Sequence, residues 1–322
     1  MADPSSRSSL ERRLRFSVLL TVLLAVFAIG AWWWLRPQPL SGTVRLAAVP
    51  TAYYLPLMVA VDQHLFEKHG YKPSLVIFNN NNDMINALLR GDAEVSALGS
   101  GGAFALEATS PGRLRLIYGQ NGQSYSLLVP RDSKVTSLND LKGKRIGTWQ
   151  SPTPKVLLHL ILDSRIGSDG FTIMPTEFRF LNQLLRRGDA DALFNTDVLT
   201  QQALESGDVR ILSRNPLEEY IMNPFFNGGG LVLRSLEPRD PKMYQAIIVT
   251  MREAIDLIST RPKEVRLSLV THIGVTQSVA ANAPIDQFVQ IEEINRAKAQ
   301  AVADLFYENR ILTNQIDVAH LF

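Results

Sequence analysis

The chain has 322 residues, 46% of them apolar and 20% charged, which is enough to bury one large core or two medium ones and excludes wholesale disorder. Its net charge of +2 is uneven: residues 1–36 carry Arg7, Arg12, Arg13, Arg15 and Arg36 against Asp3 and Glu11, so the remainder is nearly neutral and lacks the polycationic surface that binds nucleic acid. The absence of cysteine excludes disulfides, thiolate metal sites, cysteine nucleophiles and the lipid-modified cysteine of a bacterial lipoprotein.

The first element is the charge-free run FSVLLTVLLAVFAIGAWWWL, Phe16 to Leu35. As a helix rising about 1.5 Å per residue it would span roughly 30 Å, the thickness of a bilayer's hydrocarbon core. Four arginines precede it and one follows, which puts residues 1–15 in the cytoplasm and the rest of the chain outside. Trp32, Trp33 and Trp34 stand at the far end, where indoles favour the membrane interface. A cleaved signal peptide is the competing reading, but the run is long for one and tryptophans occupy the place of a small-residue cleavage site. We therefore expect an uncleaved single-pass anchor at 16–35. A linker at 36–42, stiffened by Pro37-Gln38-Pro39, follows it.

The body contains a repeated pattern. A strand at 44–49 (VRLAAV) leads into a helix near 55–67, and a further helix ends in Leu88-Leu89-Arg90-Gly91-Asp92-Ala93-Glu94 before a strand at 95–98. The same succession returns as a strand at 145–149 (RIGTW), a helix near 154–164, and Leu184-Leu185-Arg186-Arg187-Gly188-Asp189-Ala190-Asp191 before a strand at 192–194. Glycine just past a helix end supplies the positive φ that such an end requires. Alternating strands and helices predict βαβ units with right-handed crossovers in mainly parallel sheets, and two copies predict two similar lobes rather than one doubly wound domain. Further strand-like runs lie at 74–78, 114–118, 125–129, 171–180, 209–212 and 230–233. Asn227-Gly228-Gly229-Gly230 reads as flexible punctuation. Beyond Pro238 the apolar spacing predicts helices at 241–260, 263–271 and 285–309.

Several segments in this order carry a family likeness. They are Val49-Pro50-Thr51-Ala52-Tyr53-Tyr54-Leu55-Pro56, then Ala60 to Gly70 (AVDQHLFEKHG), Leu88 to Leu98, Ser137 to Gly147 (SLNDLKGKRIG) and Val302 to Leu312 (VADLFYENRIL). Together they resemble the periplasmic solute-binding proteins of ABC importers, in the branch that handles alkanesulfonates, nitrate and thiamine-precursor pyrimidines. The likeness runs from residue 43 to about 320, with His64 where the family pattern has glycine. It implies a two-lobed α/β Venus-flytrap fold of type II, with one lobe at 43–125 plus 224–322, the other at 126–223, and a hinge near Gln123–Tyr125 and Asn223–Asn227. It also implies a small-molecule ligand, ABC permease and ATPase subunits as partners, and a binding domain in the periplasm or on the extracellular face. The chain departs from the family in its anchor, having neither a lipid-modified cysteine nor an obvious cleavage site.

Sheets of this kind bind ligands beyond the carboxyl ends of their strands. That rule selects the loops 50–54, 79–83, 99–101, 149–154 and 195–197. Thr153 before Pro154, and Ser100 before Gly101, read as helix starts, whose unpaired N–H groups suit an anion or another oxygen acceptor; plain capping is the alternative role. Tyr53, Tyr54, Trp149, Phe225 and Phe226 would bring aromatic faces, and Asp197 could accept from an amine or amide. The candidate ligand-binding residues are Tyr53, Tyr54, Ser100, Gly101, Gln123, Trp149, Ser151, Thr153, Asn195, Asp197, Phe225 and Asn227. Lys155 is the sole basic residue in or beside these loops, so a strongly charged anion would depend on helix dipoles.

No catalytic pattern competes with this reading. His64, His69, His159, His272 and His320 have no metal-ligand spacing, and the chain lacks G-x-S-x-G, a P-loop and a complete G-x-G-x-x-G. No cofactor is expected. The alternatives are an enzyme on the same fold, of the thiamine-pyrimidine or menaquinone-pathway type, and a membrane-anchored sensor. The first type would need a cysteine-bearing site, and residues 1–15 are too short for a signalling domain.

Overall fold

The computed structural model describes residues 40–322; the expected anchor at 16–35 and its flanking residues lie outside that range. Among the described residues no helix is long and apolar enough to cross a membrane. The strands are β1 (Gly42–Ala48), β2 (Tyr71–Ile77), β3 (Val95–Leu98), β4 (Leu114–Asn121), β5 (Tyr125–Pro130), β6 (Lys144–Trp149), β7 (Phe171–Thr176), β8 (Ala192–Thr196), β9 (Val209–Arg214), β10 (Phe226–Leu233) and β11 (Gln287–Gln290). They form a six-stranded sheet of order β11-β4-β10-β3-β1-β2 and a five-stranded sheet of order β7-β6-β8-β5-β9.

The two sheets repeat one plan. In the first, β1 pairs in parallel with β2 and β3, and β10 returns antiparallel between β3 and β4. In the second, β6 pairs in parallel with β7 and β8, and β5 returns antiparallel between β8 and β9. The sheets therefore exchange strands, each taking its antiparallel member from a chain segment that has just left the other. The helices that matter for the site are α1 (Leu55–Asp62), α2 (Asn81–Arg90), α3 (Ser100–Thr109), α4 (Pro152–Ile166), α5 (Leu181–Arg186) and α6 (Asp197–Glu205). Two longer ones, α7 (Pro241–Thr260) and α8 (Arg296–Glu308), pack on the first sheet.

The repeated sequence pattern corresponds to one hydrogen-bonded device used twice. Arg45 N donates to Glu94 Oε2 at 2.8 Å while Arg45 Nη2 donates to the Gly91 carbonyl at 2.6 Å. Arg145 N donates to Asp191 Oδ2 at 2.8 Å while Arg145 Nη2 donates to the Gly188 carbonyl at 2.7 Å. Both glycines are left-handed, with φ of 75° and 73°. In each sheet the device fastens the end of a helix to the strand that starts the unit.

Four sequence expectations change. The Asn227–Gly230 run is a buried part of β10 rather than flexible punctuation. A Cβ on Gly229 would lie 2.0 Å from the Tyr118 carbonyl oxygen, and one on Gly230 would lie 2.0 Å from the Tyr118 ring. The glycines are there for close packing. The stretch expected to be helical at 285–309 begins with β11 on the edge of the first sheet, and α8 starts only at Arg296, where Asn295 caps it. The strand expected at 171–180 stops at Thr176 and gives way to a 3₁₀ turn at Phe178–Phe180. Finally, α4 starts at Pro152 with Ser151 in the N-cap position, two residues before the expected Thr153–Pro154 start. Proline is accommodated in a helix's first turn, where its missing N–H has no helical partner to lose.

His64 explains the glycine of the family pattern. It sits between α1 and the short helix Leu65–Lys68 at φ 53°, ψ 37°, the left-handed conformation that glycine adopts without strain.

Candidate functional site

A cavity of about 80 Å³ lies where the carboxyl ends of the parallel strands in the two sheets face each other. β1 contributes Val49, Thr51, Tyr53 and Tyr54 through the turn that follows it; β2 leads to Asn81 and β3 to Gly99. From the second sheet come Trp149, Ser151 and Thr153 after β6, Phe178 after β7, Thr196 and Asp197 at the end of β8, and Tyr125 at the start of antiparallel β5. All five loops selected by the strand-end rule reach this one space.

Its walls are aromatic. Trp149 stacks on Phe178 at 5.7 Å and 16°, and Tyr125 lies 6.0 Å from Trp149. Tyr53 is fixed by its hydroxyl, whose one proton is shared between the Leu98 and Asn227 carbonyls at 2.7 and 2.8 Å. Tyr54 Oη donates to the Ala97 carbonyl at 3.1 Å. Burial pushes the hydroxyls of Tyr53, Tyr54 and Tyr125 upward, so they remain neutral donors.

The polar character comes from helix ends. Among the helices of eight residues or more, α2, α7 and α8 are capped by side chains, those of Asn80, Asp240 and Asn295. The four without such a cap, α1, α3, α4 and α6, all begin at the cavity or beside it. They differ in what they offer: among the described residues α3 keeps the N–H groups of its first turn and α4 that of Thr153 between two prolines, whereas the Leu55 N–H of α1 donates to the Ala52 carbonyl and the Val198 N–H of α6 donates to Asp197. Ser100, at the start of α3, is fully buried, and its hydroxyl has no partner among the described residues. A Cβ on Gly101 would come within 2.4 Å of Thr153 Oγ1, so α3 and α4 meet closely across the site.

Asp197 is the one carboxylate in the lining and is 2% exposed. Its φ of 35° is left-handed, and its carboxyl accepts from the Val198 N–H. Burial pushes its pKa up to about 7, and the nearby Asp286 charge adds to that; the N–H groups of Val198 and Ala52 and the Thr196 hydroxyl pull it back.

Of the twelve residues expected at the site, Tyr53, Tyr54, Trp149, Ser151, Thr153 and Asp197 line the cavity, and Ser100 and Gly101 sit immediately behind Gly99. The other four are elsewhere. Asn195 is fully buried and spends its amide on α5 and its own strand, donating to Asn182 Oδ1 at 2.8 Å and accepting from Thr196 N at 3.0 Å. Phe225 is fully buried in the core. Gln123 and Asn227 lie where the chain passes between sheets. There Asp286 accepts from Gln123 N at 3.0 Å, Ser124 N at 2.9 Å and Asn227 Nδ2 at 3.0 Å. Val49, Tyr125 and Phe178 line the cavity but lie outside both the twelve candidates and the five selected loops. The strand-end rule would have found Phe178 had β7 been ended at Thr176; Tyr125, on an antiparallel strand, falls outside the rule altogether.

Two strand-exchanging α/β sheets with a cavity between their strand ends define the periplasmic-binding-protein fold. The alkanesulfonate-binding protein SsuA from Xanthomonas axonopodis pv. citri, solved bound to MOPS, superposes with a TM-score of 0.71 at 22% identity, covering 86% of this chain and 96% of that one. The desulfurization enzyme DSZB superposes with a TM-score of 0.67 at 15% identity, covering 87% of this chain and 96% of that one. The chain belongs to the NMT1/THI5-like family, whose pattern matches residues 51–264. A curated relative, named "Putative aliphatic sulfonates-binding protein" in Escherichia coli (strain K12), is 24% identical over 198 residues, and the match spans 60% of each protein's length.

Proposed function

We propose that this chain is the solute-binding component of an ABC importer, capturing a small organic or oxyanion solute between two lobes and delivering it to a permease and its ATPase. The observation that carries the reading is a cavity built from the strand ends of both sheets, with aromatic walls and uncapped helix starts. A ligand there touches both halves of the molecule and favours their closed arrangement. The names of the sulfonate-binding relatives support the same role. A catalytic role on this fold, as in the desulfurization enzyme, is less well supported. The cavity lining contains no histidine or lysine, and the chain has no cysteine, so Asp197 would be the sole acid–base group besides tyrosine.

A melting-temperature panel of sulfonates, nitrate, amines, amides and nitrogen heterocycles tests the role. A solute at 100 times its Kd should stabilise the protein by about 2.7 kcal/mol, a rise in Tm of roughly 4–5 °C at this chain length. Thr153 is half-buried and makes no side-chain hydrogen bond among the described residues. Thr153→Ala should therefore reduce the ligand-induced rise while leaving the apo Tm nearly unchanged. A lowered apo Tm with the rise intact would remove Thr153 from the site. A panel without any rise would contradict the binding role.

Residues 16–35 would hold this binding domain on the outer face of the membrane as an uncleaved anchor. Intact mass of membrane-extracted protein should include residues 1–36; a mature chain starting near Gln38 or Ser41 would refute the anchor.

A further inference from the structure

We infer that the cavity selects a solute presenting an N–H or N⁺–H donor to Asp197 and rejects sulfonates that carry no such group. The inference rests on the solute-binding reading and narrows its ligand class. Three observations lead to it. The first is what surrounds the space: the residues lining it include no lysine, arginine or histidine, and Lys155, just inside α4, is exposed and outside the lining. A sulfonate keeps its full charge at every physiological pH, and here no cationic side chain would meet it.

The second is the buried carboxyl itself. Asp197 is 2% exposed and lies among the lining residues at the first position of α6, with a left-handed φ of 35°. Its own helix supplies the Val198 N–H to it. An acid already placed on one of the four uncapped helix starts uses the positive end that an incoming anion would need. Once Asp197 is ionised, above its raised pKa of about 7, a second anion beside it faces like-charge repulsion at short range in a poorly solvated site.

The third is the aromatic lining. Trp149, Phe178 and Tyr125 pack on one another and on Phe194, which makes that wall apolar and poorly solvated. Against such a wall the ionised carboxylate gains more from a donor than it would in water, and an unpaired second anion costs more. The helix starts of α3 and α4, with the unpartnered Ser100 hydroxyl behind Gly99, remain for an acceptor oxygen elsewhere on the same solute. The cavity holds roughly five to eight water-sized positions, so the solute is small.

Calorimetric titration of the purified protein at pH 8, above the raised pKa of Asp197, with benzylamine, benzamide and benzenesulfonate, each at millimolar concentration, tests the charge preference on one ring. Benzylamine or benzamide should bind and benzenesulfonate should not. Asp197→Asn should weaken benzylamine at least tenfold, the scale of a charge-assisted hydrogen bond, and admit benzenesulfonate. The wild-type preference stands as a readout even if the variant folds poorly. Benzenesulfonate binding to the wild type as tightly as the amine overturns the nitrogen preference and leaves the solute-binding role intact. Amine binding unaffected by Asp197→Asn in a folded variant overturns the assignment to Asp197. Silence from all three probes overturns this inference, and silence across the wider melting panel overturns the solute-binding role with it.

Discussion

At the scale of single residues, Asp197 ties the chemistry of the site to the stability of the fold. Burial raises its pKa to about 7, with the Asp286 charge adding to the rise and the Val198 and Ala52 N–H groups and Thr196 hydroxyl opposing it. Tyr125, the other titratable group facing it, stays protonated. Asp286 is itself shifted upward by burial, so both buried acids act in one direction. A group that holds its proton more tightly when folded contributes stability that is complete below its unfolded pKa, near 4, and is lost as pH rises through the folded value. Stability should therefore fall between about pH 4 and pH 7, by an amount on the order of a few kcal/mol, and then level off. Asp140 is shifted the other way, to about 2, by the N–H and hydroxyl groups of Thr136 and Ser137, so its contribution is lost only at lower pH. Urea midpoints from pH 4 to 8 should decline in the wild type and decline less steeply in Asp197→Asn. A rising wild-type midpoint, or identical slopes in both proteins, would contradict this account of the site.

At the scale of elements, the twice-used arginine device makes an internal comparison possible. Geometry is the same in both sheets, but the Glu94 side chain is 5% exposed and the Asp191 side chain 34% exposed. Arg45→Ala would leave a buried carboxylate without its cation, which typically costs about 2–4 kcal/mol. Arg145→Ala would leave one that water can reach, for about 1 kcal/mol or less. Denaturation midpoints should separate the two variants clearly, and equal losses would show that the devices are not distinguished by burial. This repeat was legible in the sequence because helix end, glycine and acid are local and their spacing survives. Long-range causes were not legible. Asn227–Gly230 reads as a loop until Tyr118 is seen filling the space that side chains there would need. The Gln287–Gln290 segment becomes a strand because β4 offers it an open edge, a partner 166 residues away from Gln287 at Asn121.

At the scale of the whole molecule, the two-sheet α/β fold was foreseeable from alternation, repeat and family likeness, and the strand-end loops pointed to one place. The membership of that place was less so. Loop residues such as Tyr53 and Ser151 could be chosen by position, but whether a side chain faces the cavity or the interior depends on hydrogen bonds made elsewhere. Asn195 turns inward because Asn182 and the Thr196 N–H occupy its amide. The passages between sheets, near Gln123 and Asn227, are joined by Asp286, a residue from beside β11 that no local motif marks. If those passages form a hinge, a bound solute draws the two sheets together around them. Small-angle scattering, with and without a saturating concentration of a solute that raises the Tm, tests this most directly. The account predicts a smaller radius of gyration on binding. An unchanged scattering profile at saturation would contradict closure and describe a rigid scaffold instead.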